Sequence, residues 1–203
     1  MKKVILLSLL AISLNVHADV ERFQLNDSEL TEMKRAGLVK PVTLHAQCKN
    51  ITAINKMSAT GKVPSGKKVD LVLVSKKTRY TYLFSGSVLT HKFKSTFGSG
   101  YSNGPKIQEG DGRTPEGVYK LDYKNYNSKF HKSIHVSYPS AYDRKFASDH
   151  GVSPGGDIMI HGMTWLFGTG SNWTAGCIAM KNDDIDKLMS IVSVPTTVAI
   201  CPL

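Results

Sequence analysis

A histidine at position 161 and a cysteine at position 177 lie sixteen residues apart in the segment Asp157 to Asp186. A cysteine attacks a carbonyl as its thiolate, so it needs a base or a cation within hydrogen-bond reach. The carbonyl oxygen under attack needs donors where its negative charge develops. In that chemistry Cys177 is the nucleophile and His161 the base. Gly176 lets the backbone approach closely, which makes the amides of Gly176 and Cys177 the candidate oxyanion donors. The bland alternative is a buried structural cysteine near an unrelated histidine, and spacing alone does not choose between them.

The flanking residues say how such a pair is positioned. Asp157 to Ile160 contains a short apolar run that reads as a buried strand delivering His161 to its end. Glycines, small polar residues and both tryptophans of the chain fill the stretch between His161 and Thr174, which is loop composition. After Ile178-Ala179-Met180 comes Asn182-Asp183-Asp184, an expected helix N-cap with acids in the first turn. A Gly-rich excursion therefore joins two strand or loop edges, one bearing the histidine and the other the cysteine.

His161-Gly162 followed by Thr174-Ala175-Gly176-Cys177 resembles the signature of the L,D-transpeptidase catalytic domain (YkuD) family. Asn182-Asp183 and Asp186 downstream are family-like, and Thr114-Pro115-Glu116-Gly117 matches the family's second landmark. The resemblance covers roughly residues 69 to 201 and is nearest to the YafK-like branch, some of whose members cleave a protein off murein. It implies a mainly β, β-sandwich-like domain with Cys and His in one cleft. The implied enzyme is exported and acts on peptidoglycan stem peptides through a thioester acyl-enzyme, without cofactor or metal. The Gly162 carbonyl is then expected to hold the imidazole. Thr174, Trp173, Tyr138 and Arg144 are the expected substrate-binding residues. Two positions depart from the pattern: Ala175 stands where the family often has His, and Ala179 where it often has Arg. The missing Arg puts the usual donor contacts in question. It leaves open a hydrolase of the same fold (a carboxypeptidase, an endopeptidase or an amidase releasing a murein-linked lipoprotein). A catalytically silent wall-binding module is a further alternative.

Composition sets the wider limits. The 203 residues are 41% hydrophobic, enough for one core and a small appendage. Residues 1–18 read as a secretory signal: Lys2 and Lys3 open it, Val4 to Val16 is mostly apolar, and Val16-His17-Ala18 fits a cleavage site. That apolar run is short for a membrane span, so a periplasmic or otherwise exported mature chain without a span is expected. Loss of Lys2 and Lys3 takes the formal charge from +10 to +8. A basic exported surface suits an anionic wall polymer or membrane face. The scattered lysines lack the interleaved aromatics and motifs of nucleic-acid binders, so no nucleic acid is expected. The three cysteines, Cys48, Cys177 and Cys201, are an odd number. If Cys177 is the reactive thiol, Cys48 and Cys201 are either a disulfide or two separate buried thiols.

The expected domains are a signal at 1–18, a small helical extension at 19–68 and the catalytic domain at 69–203. In the extension, Leu30, Met33 and Leu38 mark one helix, Pro41 to Cys48 an edge strand, and residues 49 to 68 a short helix and loop. Val69 to Val74, Tyr80 to Phe84, Val88-Leu89 and Phe93 to Phe97 then read as an antiparallel meander. Gly98 to Gly112 reads as a surface loop and Thr114 to Gly117 as a tight turn into Val118 to Leu121. His131 and His135 sit four apart, but Val136, Tyr138 and Pro139 favour a strand over a metal-binding helix. Asp143 and Arg144 are expected as a salt bridge or as cleft-lining residues, and Ser140 to Gly151 as a loop or short helix. Ile185, Leu188, Met189 and Val192 predict a core-facing helix, and Thr197 to Ile200 a last strand.

Overall fold

The computed structural model describes residues 48–101, 104–163 and 171–203, all within the compact unit Gln47–Leu203. The expected signal, the helix of residues 19–40 and the strand before Cys48 lie outside the described residues. In chain order the elements are α1 (Ile51–Lys56), β1 (Leu71–Ser75), β2 (Tyr80–Ser85), β3 (Val88–Lys94), β4 (Gly117–Ser128) and β5 (His131–Val136). They continue with α2 (Ala141–Asp149), β6 (Met159–His161), β7 (Ile178–Ala179), α3 (Asn182–Ile191) and β8 (Thr196–Cys201). Val88-Leu89 and Phe93 belong to one unbroken strand rather than two.

The strands form an eight-stranded sheet in the order β3-β2-β1-β8-β4-β5-β6-β7. The fold is mainly β, as the alternating apolar runs require, but the sheet is mixed rather than antiparallel throughout. β1 pairs parallel with β8, Leu71 opposite Thr197, and β6 pairs parallel with β7, His161 opposite Ala179. β1 and β8 are buried at every position, the signature of central strands covered on both faces. The sheet also folds over on itself. Thr96, just beyond β3, exchanges backbone hydrogen bonds with Ala179 of β7 at 2.8 and 2.9 Å.

One face of β4 to β7 enters the core through Tyr119, Leu121, Ile134, Val136, Ile158, Ile160, Ile178 and Met180, joined by Ile185, Leu188 and Met189 of α3. The opposite face carries the residues with chemistry. The N-cap of α3 is Lys181, without a side-chain cap bond, and not Asn182. Asn182 instead accepts the Met163 amide at 2.8 Å, so its side chain is spent on the loop after His161.

Cys48 and Cys201 form a disulfide, which decides the pairing that sequence spacing left open. It ties the residues before α1 to the end of β8. A second tie is a buried ion pair. Lys76, directly after β1, reaches Glu116 at 2.6 Å, with side chains 0% and 5% exposed. It pins the Thr114-Pro115-Glu116-Gly117 turn to the end of the central strand. α2 starts with a capping box between Ser140 and Asp143. Asp143 is buried there and also accepts the Tyr119 hydroxyl at 3.1 Å. No Asp143–Arg144 ion pair forms; the Arg144 Nη1 donates to the Pro139 carbonyl.

Candidate active site

β6 and β7 bring His161 and Cys177 together. Their parallel register aligns Ile160 with Ile178 and His161 with Ala179, which places Cys177 beside Met159 at the entrance to β7. The Met159 amide donates to the Cys177 sulfur at 3.4 Å, so the thiol lies against the neighbouring strand, two residues from His161. The Asp157 carbonyl accepts from the thiol at 3.6 Å. Asp157 itself has φ +54°, an uncommon backbone conformation for a residue other than glycine.

The Nδ1 of His161 lies 2.6 Å from the Gly162 carbonyl oxygen. A carbonyl can only accept, so Nδ1 carries the proton and Nε2 is the free, basic nitrogen. Gly162 fits because a Cβ there would meet Asn182 Oδ1 at 2.5 Å and the Phe130 carbonyl at 2.8 Å. The imidazole is buried, stacked on Phe130 with centroids 4.6 Å apart and set edge-on to Trp173 at 5.7 Å. Burial therefore pushes its pKa below the ordinary histidine value, partly offset by the Gly162 bond.

The thiol is tuned by burial and by three groups. Burial raises its pKa and the Asp157 carboxylate adds to that rise, while the Met159 amide and the Lys106 ammonium lower it. Lys106 is itself buried, donating to Asp111 Oδ1 and the Gln108 carbonyl, each at 2.9 Å. Although burial acts against it, Asp111 is held below the usual carboxylate range by the Ile107, Arg113 and Gln108 amides and by Lys106. The Gly98 to Gly112 stretch is thus not a simple surface loop. A Cβ on Gly98 would collide with the Gly112 carbonyl and lie 3.0 Å from the Cα of Gly176.

Thr174 to Cys177 forms a tight turn held from within. The Thr174 hydroxyl donates to the Cys177 carbonyl at 2.7 Å and accepts the Gly176 amide at 3.2 Å. The Gly176 amide is therefore directed at Thr174, whereas the Cys177 amide has no partner among the described residues. The two expected oxyanion donors are unequal. Gly176 has φ +132°, and a Cβ there would stand 2.7 Å from the Arg113 carbonyl.

Of the expected substrate-binding residues, Trp173 and Thr174 border the pair. Tyr138 and Arg144 do not join them. Tyr138 is 3% exposed, packed edge-on to Tyr119 in the core, and its hydroxyl donates to the Pro154 carbonyl at 3.0 Å. Arg144 lies exposed on α2. His131 and His135 lie on one strand and each takes a different carboxylate, Asp186 at 2.8 Å and Asp122 at 2.7 Å. Phe130, Met159 and Lys106 belong to the site although no sequence motif marked them, and only folding brings them to it.

A family model described as the L,D-transpeptidase catalytic domain (YkuD) matches residues 70–200. The chain belongs to that family. A relative from Escherichia coli K12 described as a putative L,D-transpeptidase, YafK, is 35% identical over 92 residues, 44% of this chain and 32% of that protein. Among solved structures, the helical cell shape determining protein Pgp2 of Campylobacter jejuni superposes with a TM-score of 0.52 at 26% identity. The match covers 65% of this chain and 47% of Pgp2. Bd1075 of Bdellovibrio bacteriovorus shares the fold, with a TM-score of 0.50 at 21% identity over 66% of this chain and 48% of that one. The chain thus spans about a third to a half of the length of these relatives.

Proposed function

We propose that this protein is an exported, cysteine-dependent L,D-transpeptidase that acts on peptidoglycan stem peptides. The observation that carries the reading is the tautomer of His161. With Nδ1–H committed to the Gly162 carbonyl, Nε2 is left basic on the strand beside Cys177. Membership of a family that acts on peptidoglycan supplies the substrate class.

Cys177 attacks the carbonyl of a stem-peptide residue while His161 Nε2 takes the thiol proton. The tetrahedral oxyanion is received by the Cys177 amide, and the polarised backbone around Gly176 supports it. As the intermediate collapses, the C–N bond breaks and His161 returns the proton to the departing amine, leaving a thioester. An acceptor amine then attacks the thioester, gives its proton to His161, and the thiolate leaves and is reprotonated. Because both groups are neutral in the resting site, the proton moves as the substrate reacts rather than beforehand.

Hydrolysis, with water as the acceptor, uses the same residues. The feature favouring it is Ala179, wholly buried in β7 where the family often carries Arg. Such an enzyme would trim stems or release a murein-linked lipoprotein. The cell-shape role named for Pgp2 fits both transpeptidation and stem trimming, since one forms cross-links and the other changes the stems available for them. Residues 1–18 are assigned as the export signal, and no helix among the described residues is long and apolar enough to cross a membrane.

The test is incubation of the protein and a Cys177→Ala variant with diaminopimelate-type murein, followed by mass spectrometry. Cys177-dependent cross-links or exchanged terminal residues establish the transpeptidase. Cys177-dependent trimming makes it a hydrolase. Identical products from both proteins overturn the nucleophile assignment and bring the wall-binding alternative forward.

A further inference from the structure

The outer face of the sheet carries a row of side chains that begins at Cys177 and runs across the strands. Cys177 lies against Met159 of β6, whose amide contacts the sulfur at 3.4 Å. Met159 pairs directly with His135 of β5. The His135 ring in turn stacks on Tyr123 of β4, with centroids 4.6 Å apart and planes at 15°. Partners in a ladder project to the same face, and Ile134, Val136, Ile158, Ile160 and Ile178 take the core side, so this row faces outward. Its far end is open: Tyr123 is 46% exposed, whereas most aromatic rings of the domain are covered.

The platform has a polar edge. Asp122, beside Tyr123, accepts His135 Nδ1–H with Oδ1 at 2.7 Å, which fixes the imidazole flat beneath the phenol. The Asp122 side chain is 39% exposed, and Oδ2 meets no donor among the described residues. The phenol of Tyr123 is held above its usual pKa by burial and then by the Asp157 and Asp122 carboxylates. Asp157 is also the residue whose carbonyl lies at the Cys177 sulfur, so one residue is felt at both ends of the row.

We propose that the Tyr123–His135 stack, with the Asp122 carboxylate at its edge, is a saccharide subsite that binds the sugar ring carrying the stem peptide. The proposal rests on Cys177 being the nucleophile. Three inter-strand steps of about 4.8 Å put Tyr123 roughly 14 Å from the sulfur. An extended peptide covers that distance in about four residue lengths, close to the reach of a short stem from its reacting carbonyl back to its sugar. A pyranose presents a face of C–H groups that packs on an aromatic plane, while its rim of hydroxyls donates to a carboxylate. Tyr123 supplies the plane and Asp122 the acceptor.

The experiment compares kcat/KM for a disaccharide-tetrapeptide and for the same tetrapeptide without sugars. Wild type is expected to favour the sugar-bearing substrate. Tyr123→Ala is expected to shrink that preference roughly tenfold, the size of one lost aromatic contact. Tyr126→Ala, which removes another exposed tyrosine of β4, is expected to keep it. No preference in wild type, or an equal loss on both substrates with Tyr123→Ala, overturns the subsite. If wild type turns over neither substrate, it is the transpeptidase reading that fails. The saccharide site is then decided by titrating Cys177→Ala protein with the disaccharide and following the Tyr123 and His135 ring resonances. Ring shifts that vanish in Tyr123→Ala uphold it, and unmoved rings overturn it.

Discussion

The Nδ1–H of His161 donates to the carbonyl of the next residue, Gly162, across 2.6 Å, so the chain fixes the imidazole through its own backbone. No carboxylate is bonded to this histidine among the described residues. A carboxylate would strongly stabilise an imidazolium; the neutral Gly162 carbonyl opposes the effect of burial only in part, so the neutral imidazole is favoured.

That difference sets the pH dependence. His161 must be neutral to accept the thiol proton, and burial lowers its pKa. The acid limb of kcat/KM is therefore expected below the ordinary histidine value of about 6.5. The thiol pKa is raised by burial, so alkylation of Cys177 in the free protein should still be climbing above about pH 8.5. An acid limb at or above the ordinary histidine value would contradict the neutral pair.

Lys106 works in the opposite direction on the thiol. Lys106→Met leaves Asp111 with the amides of Ile107, Gln108 and Arg113, so the loop keeps most of its bonds. The expected result is slower alkylation of Cys177 at fixed pH and a higher thiol pKa, with Lys106→Arg close to wild type. An unchanged alkylation profile in Lys106→Met would show that the ammonium does not reach the sulfur.

Gly176→Ala is expected to abolish most activity while the protein still folds. The positive φ costs an alanine on the order of 1–3 kcal/mol, and its Cβ must also displace the Arg113 carbonyl. A shift of that kind next to the nucleophile costs about a hundredfold in rate. Turnover and thermal melting, measured together, separate this local effect from a general loss of structure.

Lys76→Met strands Glu116 in the interior and should cost roughly 3–5 kcal/mol in denaturant unfolding. The double variant Lys76→Met/Glu116→Gln is expected to recover a large part of that loss. Equal destabilisation by single and double variants would mean that shape rather than charge is what the pair contributes.

Cys48→Ser removes a cross-link that closes a loop with a sequence separation of 153. The expected loss is about 2–5 kcal/mol, which for a domain of this size lowers the melting temperature by roughly 10 °C. The same fall should follow mild reduction, and Cys48→Ser should then melt alike with and without reductant.

The sequence made the central features legible because they are local. Leu71 to Val74 declares a buried strand, and His161 and Cys177 are separated by a spacer of Gly-rich, small polar composition. What it concealed were partners made by the sheet. β1 looks like the start of a meander, and nothing in Leu71 to Ser75 announces that residues 196–201 return to lie parallel beside it. Asn182 has the composition of a helix cap, yet the Met163 amide claims its side chain. Tyr138 reads as a cleft residue by type, but two residues beyond β5 it is packed against Tyr119 in the core and bonded to the Pro154 carbonyl. Met159, His135 and Tyr123 fall into a row leading from Cys177 only through cross-strand neighbours, and Phe130 reaches His161 from the turn between β4 and β5.

The position of β8 has a consequence for the order in which this molecule can be assembled. β8, the latest of these strands in chain order, is inserted between β1 and β4, so the middle of the sheet stays empty until residues 196–201 arrive. Before that moment β1 and β4 expose bare edges and neither half can complete its core. Local contacts alone cannot nucleate such a domain, which places it among slow, non-locally wired folders. A nascent chain arrested before residue 195 should be open, protease-sensitive and prone to edge-to-edge association. Deleting residues 196–201 therefore removes the keystone of the sheet.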